Sequence, residues 1–147
     1  MNRTVFIMFL AIFMACNSVL AQNAYTIYPV PQAQKTMKGK SSFTQKVCVV
    51  AEPGIDKYTL DRALQVLKAK GLDASIADKP QSGKSAVYLG INGSKGTADR
   101  KASGLKLKRD IFIQPKYDRH VVSLSSNSGK AQVVILGENT DAVFYGL

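Results

Sequence analysis

Residues able to act as acid, base, nucleophile or metal ligand are few in this chain. The sequence holds ten acidic residues, one histidine and two cysteines. No acid is adjacent to another: Glu52, Asp56, Asp61, Asp73, Asp78, Asp99, Asp110, Asp118, Glu138 and Asp141 each stand alone. Paired carboxylates are a common apparatus for acid–base hydrolysis, and a metal site needs several such ligands. The sequence therefore predicts no catalytic, cofactor-binding or metal-ligating residue.

Cys48 and His120 are the remaining candidates for a nucleophile and its base, and they lie far apart in sequence. Cys48 is in the apolar run KVCVVAE, which is typical of a buried strand where a free cysteine acts as a small hydrophobe. His120 opens a predicted strand beside Arg119, which favours a structural or exposed role. Signal cleavage after Ala21 would leave Cys48 as the one cysteine, so no internal disulfide is expected.

Two local patterns look like ligand-binding motifs. Residues 82–85 read SGKS, the end of a phosphate-binding loop, but Asp78 stands where that motif needs its first glycine. Gly90, Gly93 and Gly96 follow a good strand, yet their spacing differs from that of a dinucleotide fingerprint. A surface turn and a loop are the predictions for these two segments.

Residues 1–21 have the pattern of a secretion signal. Arg3 supplies the positive charge, and residues 5–15 form an apolar core too short to span a bilayer. Residues 19–21 suit signal peptidase, so the mature chain is expected to begin at Gln22 and to be exported. A lipoprotein signal acylated at Cys16 is the alternative, but the residues before that cysteine match its motif poorly. No membrane span is expected.

Basic residues outnumber acidic ones by twenty to ten. Of the basic residues only Arg3 lies in the predicted signal, so the mature segment carries 19 − 10 = +9. This charge favours acidic glycans, membrane surfaces or nucleic acid as partners, and export makes nucleic acid the least expected of them. The lysines are scattered and do not alternate with aromatic residues as on a base-stacking platform. A solvated basic surface is the plainer interpretation.

The first elements are predicted from residue 42 onwards. The run SFTQKVCVVAE indicates a strand that ends at the turn Pro53-Gly54. Asp56 is then expected to cap a helix that ends before Gly71. The apolar residues of this helix recur at helical spacing: Leu60, Ala63, Leu64 and Leu67.

The remaining elements alternate between strand and helix. DASIAD predicts a short strand, and SAVYLGI predicts a strand buried on both faces. Residues 92–106 predict either a loop or one weak helix. RHVVSLSS and AQVVILGE predict a hairpin through residues 127–130, and residues 141–147 open another helix. The order predicts an α/β fold in which a mixed β-sheet is covered by helices, an α/β sandwich.

Three segments follow from this organisation. Residues 1–21 are the predicted signal peptide, residues 22–40 an extended lead-in with two prolines, and residues 41–147 one α/β domain. The aromatic pair and leucine of the final FYGL should begin a covering segment, so the domain is expected to be the front part of a longer exported protein.

The two ends of the mature segment carry a family resemblance. IYPVPQ, residues 27–32, resembles the I-x-P-x-P-Q opening of exported β-N-acetylhexosaminidases. The ending VSLSSNSGKAQVVILGENTDAVFYGL is similar to their pattern Y-x-L-x-(turn)-x-I-x-I-x-G-x-(D/N)-x-x-G-x-F-Y-G-L. With the buried VYLGI, the segment resembles the small N-terminal α/β domain, of hexosaminidase domain 2 type, that precedes a (β/α)₈ barrel in glycoside hydrolase families 20 and 84. The second family includes bacterial enzymes called hyaluronidases or O-GlcNAc hydrolases.

The resemblance implies a mechanism for the parent protein alone. A carboxylate pair on the barrel would cleave terminal β-N-acetylglucosamine-type residues with help from the substrate's own acetamido group. No residue of that pair can be assigned before Leu147, so this domain is expected to be non-catalytic and to support the barrel, its partner within the same chain. Two alternatives stay open: a stand-alone exported module that binds anionic polysaccharide, and a truncated gene remnant.

Overall fold

The computed structural model describes residue 35, residues 40–113 and residues 118–147. The predicted signal peptide with Cys16, and the IYPVPQ segment of the lead-in, lie outside the described residues. The chain divides into two units, Met1–Lys38 and Gly39–Leu147. All elements given below belong to the second unit.

A five-stranded mixed sheet with the strand order β2-β1-β3-β5-β4 forms the centre of this unit. Its strands are β1 (Lys46–Ala51), β2 (Asp73–Ile76), β3 (Ser85–Ile91), β4 (His120–Asn127) and β5 (Lys130–Gly137). The first three strands and β5 run parallel, and β4 pairs antiparallel with β5 at one edge. The sheet has helices on both faces, which confirms the predicted α/β sandwich.

Three α-helices and one short 3₁₀-helix cover the sheet. They are α1 (Lys57–Ala69), α2 (Thr97–Gly104), the 3₁₀-helix (Asp110–Ile113) and α3 (Thr140–Tyr145). Helices α1 and α3 pack on one face, where the core contains Val47, Val49, Ile55, Ala63, Leu67, Val87, Leu89, Ile135 and Val143. Helix α2 and the 3₁₀-helix cover the other face over Cys48, Val50, Ala86, Tyr88, Val134 and Leu136. The central strands are thus buried on both sides, as the apolar run of β3 predicts.

Both ends of α1 are capped by the residues that the sequence predicts, Asp56 and Gly71. The Asp56 carboxylate accepts a hydrogen bond from the Thr59 amide at 2.7 Å, which satisfies a free N–H of the first turn. At the other end Gly71 has φ +74, and the amides of Gly71 and Leu72 donate to the carbonyls of Lys68 and Leu67. This pattern is a Schellman motif, in which the left-handed residue is best a glycine.

Replacing Gly71 by alanine is expected to lower the free energy of unfolding by about 1 kcal/mol, because a Cβ disfavours the left-handed conformation. No atom lies within 4 Å of the added Cβ, so the loss would come from backbone conformation rather than from a clash. The midpoint of urea denaturation measures it. Gly104→Ala serves as control, since that glycine lies in α2 at ordinary φ with open space around it, and it should not destabilise.

The first strand begins at Lys46, later than the apolar pattern predicts. The residues before it bond through side chains instead of through a strand ladder: the Thr44 amide donates to the Ser85 hydroxyl, and the Ser85 amide donates to the Thr44 hydroxyl. Ser42 forms an isolated bridge with Lys130. At this end of the sheet the threonine and serine hydroxyls thus act beside single backbone bonds from the Ser42 and Gln45 carbonyls, and no continuous ladder forms.

The other ambiguous segments are resolved by local packing. Residues 92–106 contain both predicted alternatives, a turn followed by α2, whose Ala98 and Ala102 are small enough to lie directly against the sheet. The β4–β5 hairpin is confirmed, with Ser128 and Gly129 both at positive φ as a type I′ turn requires. In the described part of the chain, no helix has the length and apolarity needed to cross a membrane.

Candidate functional site at the carboxyl edge of the sheet

Three polar residues directly follow the three central parallel strands. Glu52 follows β1, Asn92 follows β3 and Glu138 follows β5. The carboxyl ends of parallel strands meet at one edge, and here α1 after β1 and α2 after β3 lie on opposite faces of the sheet. Ligands of open α/β sheets bind in the crevice at such a switch point. The crevice between β1 and β3 is therefore the candidate functional site.

The Glu52 side chain occupies this crevice. The residue is 4% exposed, and its Oε1 accepts a hydrogen bond from the Asp99 amide at 2.8 Å. Its Oε2 accepts hydrogen bonds from the Ile91 amide at 3.2 Å and from the Ser94 hydroxyl. The Asp99 amide belongs to the first turn of α2, whose N-cap residue, Gly96, offers no side chain. Glu52 therefore caps α2 from a neighbouring strand.

Two glycines make room for this carboxylate. A Cβ added at Gly96 would lie 2.5 Å from Oε1 and 2.6 Å from Cγ of Glu52. A Cβ added at Gly90 would lie 2.5 Å from the Cβ of Ala98 and 2.7 Å from Oε2 of Glu52. Both positions thus require glycine because β3, the loop and α2 approach the Glu52 carboxylate closely. Two of the three glycines that resemble a nucleotide fingerprint, Gly90 and Gly96, thus make space for a carboxylate of the domain itself.

Asp99 and Arg109 extend the network at the start of α2. The Asp99 carboxylate accepts hydrogen bonds from the Gly93 amide at 3.3 Å and the Lys95 amide at 2.9 Å, and forms an ion pair with Arg109. Arg109 also donates to the Asn92 side chain at 3.0 Å and to the Asp99 carbonyl at 2.9 Å. Burial raises the pKa of Asp99, but these hydrogen bonds outweigh it, and the net pKa lies below its usual value.

The Asp99 carboxylate should make folding pH-dependent in acid. A native pKa below the unfolded one stabilises the fold above the unfolded value, about 3.9, and this gain disappears as the pH falls through the native pKa. We expect Asp99→Asn to lower the free energy of unfolding by about 1.5 kcal/mol at neutral pH. The difference from wild type should shrink as the solution is acidified. Urea denaturation at several pH values measures it.

The exposed Asp78 gives a matched control for that pH series. Asp78→Asn should leave the free energy of unfolding nearly unchanged at every pH, because solvent screens an exposed carboxylate. A constant difference between Asp99→Asn and wild type from neutral to strongly acidic pH would contradict the role of the ionised carboxylate.

A second ion pair joins Arg119 and Glu138 beside β4 and β5. The Arg119 Nε donates to Glu138 Oε2 at 2.8 Å, and its backbone amide donates to Oε1 at 3.2 Å. A further guanidinium nitrogen donates to the Ile111 carbonyl at 3.1 Å, which ties the 3₁₀-helix to the sheet. The hydrogen bonds from Arg119, partly offset by burial, lower the pKa of Glu138. The pair fixes the edge of the sheet to the segment that precedes β4.

The other candidates from the sequence, Cys48, His120 and the SGKS segment, do not contribute to this network. Cys48 is fully buried in β1, as predicted, with its thiol 3.3 Å from the Ser85 carbonyl. His120 is half-buried at the start of β4, and its Nδ1 lies 3.3 Å from the Asp118 carbonyl. Residues 82–84 form the predicted surface turn, and Ser85 is already the buried first residue of β3. The structure therefore does not bring Cys48 and His120 together: Cys48 lies inside the sheet and His120 on its edge strand.

The polar side chains at the carboxyl edge bond to other groups of the same domain. Within residues 40–113 and 118–147, every buried side-chain nitrogen or oxygen has a hydrogen-bond partner. The same described ranges contain no cluster of three or more His, Cys, Asp or Glu residues placed to hold a metal ion. Glu52 and Asp99, which are far apart in sequence, meet in one network that orders residues 91–109. The sequence contains one signal for this network: a glutamate that directly follows a buried strand, with glycines later in the chain.

Comparisons with known proteins show a likeness to a solved structure. No protein-family model matches the chain, and no curated protein matches it. A solved structure titled "Structure of CpGH84D" is similar, with 33% sequence identity and a TM-score of 0.75. The likeness covers 85% of this chain and 20% of that chain. The chain thus spans about one fifth of that neighbour's length, and it is similar to a part of a larger protein.

Proposed function

We propose that this chain is the N-terminal, non-catalytic α/β domain of an exported glycoside hydrolase of family 84. The main support is the 33% identity to a protein whose name denotes that family. The likeness covers 85% of this chain but 20% of that one. The resemblance of IYPVPQ and FYGL to exported β-N-acetylhexosaminidases supports the same assignment. Family 20 shares the domain type, and the name of the neighbour favours family 84.

The geometry of the carboxyl edge supports a non-catalytic role. The Glu52 side chain, capped helix α2 and two close-packed glycines fill the crevice where this fold class binds ligands. Both carboxylates of the network accept hydrogen bonds from the domain's own amides. In the proposal, cleavage of terminal β-N-acetylglucosamine-type residues takes place in a following barrel. There a carboxylate pair acts with the acetamido group of the substrate.

An uncovered apolar surface supports a partner domain. Val122 and Leu124 of β4 are 51% and 53% exposed, and they pair with Ile135 and Val133 on the face that α1 and α3 cover. On α3, Phe144 and Tyr145 are also exposed. We call these residues the β4–α3 apolar surface; they are Val122, Leu124, Phe144 and Tyr145. Large apolar side chains exposed on one face of a sheet suit an interaction surface, and the barrel is the partner in the proposal.

Export belongs to the proposal as well. The pattern of residues 1–21 favours secretion with a mature chain from Gln22, and acylation at Cys16 is the less favoured route. Mass spectrometry of the mature protein would distinguish the two, because cleavage after Ala21 leaves no lipid. Recovery of uncleaved protein in the cytoplasm would contradict export.

An activity assay tests the assignment. The purified chain should not hydrolyse a fluorogenic β-N-acetylglucosaminide above the buffer rate, because the Glu52 and Asp99 carboxylates at the crevice accept hydrogen bonds from the domain's own amides. Sequencing past the Leu147 codon should reveal a barrel with an adjacent Asp-Asp or Asp-Glu pair. Hydrolysis by the chain itself that Glu52→Gln abolishes would overturn the non-catalytic role. A stop codon directly after Leu147 would overturn the parent hydrolase for this gene product.

A further inference from the structure

Positive charge is concentrated on the segment that carries α2. Residues 95–109 contain six basic residues and one acidic residue, whereas residues 56–73, which carry α1, contain four basic and three acidic residues. The two helices cover opposite faces of the sheet. The excess charge of the domain is thus larger on the face that α2 covers.

Four exposed cations of this segment lack an acidic partner: Lys95, Arg100, Lys106 and Lys108. All ten acidic residues of the chain lie within the described ranges. Inside those ranges the ion pairs join Lys57 to Asp61, Arg109 to Asp99 and Arg119 to Glu138. The segment's own acid, Asp99, is 6% exposed and is paired with Arg109. The exposed Asp110 directly follows the segment, and the six basic residues still outnumber these two acids.

Two of these lysines adopt a backbone conformation that favours glycine or asparagine. Lys95 has φ 61 and Lys106 has φ 52. Lys106 follows α2 in a Schellman motif, where the amides of Lys106 and Leu107 donate to the carbonyls of Ser103 and Ala102. At the equivalent place after α1 the chain has Gly71. Lysine stands at both ends of α2 where glycine or asparagine would suit the backbone better, so backbone conformation does not account for its presence there.

The cations form two groups separated by the helix. The Arg100 guanidinium donates to the Lys95 carbonyl at 2.6 Å, which holds it at the N-terminal end of α2. Lys106 and Lys108 follow the C-terminal end. The eight residues of α2 place the groups about 12 Å apart at a rise of about 1.5 Å per residue. Charges spread in this way suit an extended polyanion better than a compact anion.

We propose that the α2 basic surface, defined as Lys95, Arg100, Lys106 and Lys108, binds an acidic polysaccharide that carries carboxylates along its length. The choice of a glycan rests on the proposed function. Two observations disfavour other polyanions. The exposed aromatic rings of the described residues, Phe43, Tyr58, Phe144 and Tyr145, lie on other elements, so bases have no platform here. Between the cations, α2 exposes Ser103 and Gly104 rather than apolar side chains that enter a bilayer.

Calorimetric titration of the full chain with a short hyaluronan oligosaccharide tests the proposal. The variant Lys95→Asn/Lys106→Asn/Lys108→Gln removes three charges, and asparagine tolerates the left-handed conformation, so the fold should be kept. Its affinity is expected to fall by about tenfold or more, and the affinity of wild type should fall as salt is raised. The matched control is Lys46→Gln/Lys68→Gln/Lys70→Gln, which removes three exposed charges elsewhere.

The control variant should bind within about twofold of wild type, since long-range charge alone contributes little at physiological salt. Equal losses in the two variants would overturn the proposal in favour of a diffuse basic surface. The proposal would also be overturned by failure of wild type to bind, or by tighter binding to duplex DNA or to phosphatidylserine vesicles at the same salt. None of these outcomes depends on hydrolase activity, so the parent assignment stands or fails separately.

Discussion

Glu52→Ala is expected to lower the free energy of unfolding by about 3 kcal/mol, the largest effect that we predict for a single carboxylate of this domain. The substitution would leave the amides of Ile91 and Asp99 without their acceptor in a buried place. It would also remove the cap of α2, because Gly96 has no side chain to take over. Thermal and urea denaturation of the purified chain measure the loss.

Glu52→Gln removes the charge of the side chain but keeps its size, so it distinguishes the two contributions to stability. Glutamine fills the same volume and keeps one acceptor oxygen, but it turns an amide group toward donors, so a loss of about 2 kcal/mol is expected. Asp78→Ala, at an exposed turn, is the control and should change stability by less than about 0.5 kcal/mol. A loss below about 1 kcal/mol for Glu52→Ala would mean that water replaces the carboxylate and that the crevice can open.

The hydrogen bonds in this crevice affect both the stability of the domain and the proposed glycan binding. The network of Glu52, Asp99 and Arg109 fixes residues 91–109, which include the α2 basic surface. A substitution that unfolds this segment should therefore weaken glycan binding without touching the exposed lysines. The β4–α3 apolar surface lies on the opposite face of the sheet from α2. In the proposal, one face meets the barrel while the other stays free for a glycan.

Local patterns in the sequence predicted most of the fold. The cap at Asp56, the apolar spacing through Leu67 and the glycine at position 71 define α1, and all three are determined by contacts close in sequence. The continuous apolar run of β3 predicted a strand buried on both faces, and the turn residues predicted the β4–β5 hairpin. These features depend on backbone preferences and periodicity, which a single sequence displays.

The network at the carboxyl edge could not be predicted in the same way. Glu52 and Asp99 are 47 residues apart, and their contact depends on the parallel pairing of β1 with β3. The sequence places Gly90 in the strand SAVYLGI and Gly96 in a loop or weak helix. It does not show that both positions need glycine, because that need comes from a carboxylate that follows another strand. The apolar pattern also starts β1 too early, because Thr44 pairs with Ser85 through the two hydroxyls rather than in a continuous backbone ladder.

Gly96→Ala is expected to lower the free energy of unfolding by about 2 kcal/mol, because the added methyl overlaps the Glu52 side chain. The three nearest atoms to that methyl all belong to Glu52, so we expect this side chain to cause most of the loss. In a Glu52→Ala background the overlap disappears, and Gly96→Ala should then cost about 0.5 kcal/mol, the difference between glycine and alanine as a cap.

The two substitutions should therefore be coupled by about 1.5 kcal/mol in a double-mutant cycle, measured by urea denaturation of all four proteins. Gly90→Ala provides the comparison, because its methyl also overlaps Ala98 and that clash remains when Glu52 is removed. Its coupling to Glu52→Ala should be smaller. Additive losses for Gly96 and Glu52 would show that the loop moves away from the carboxylate. The crevice would then be open to a ligand, contrary to the closed and non-catalytic edge on which the proposed function rests.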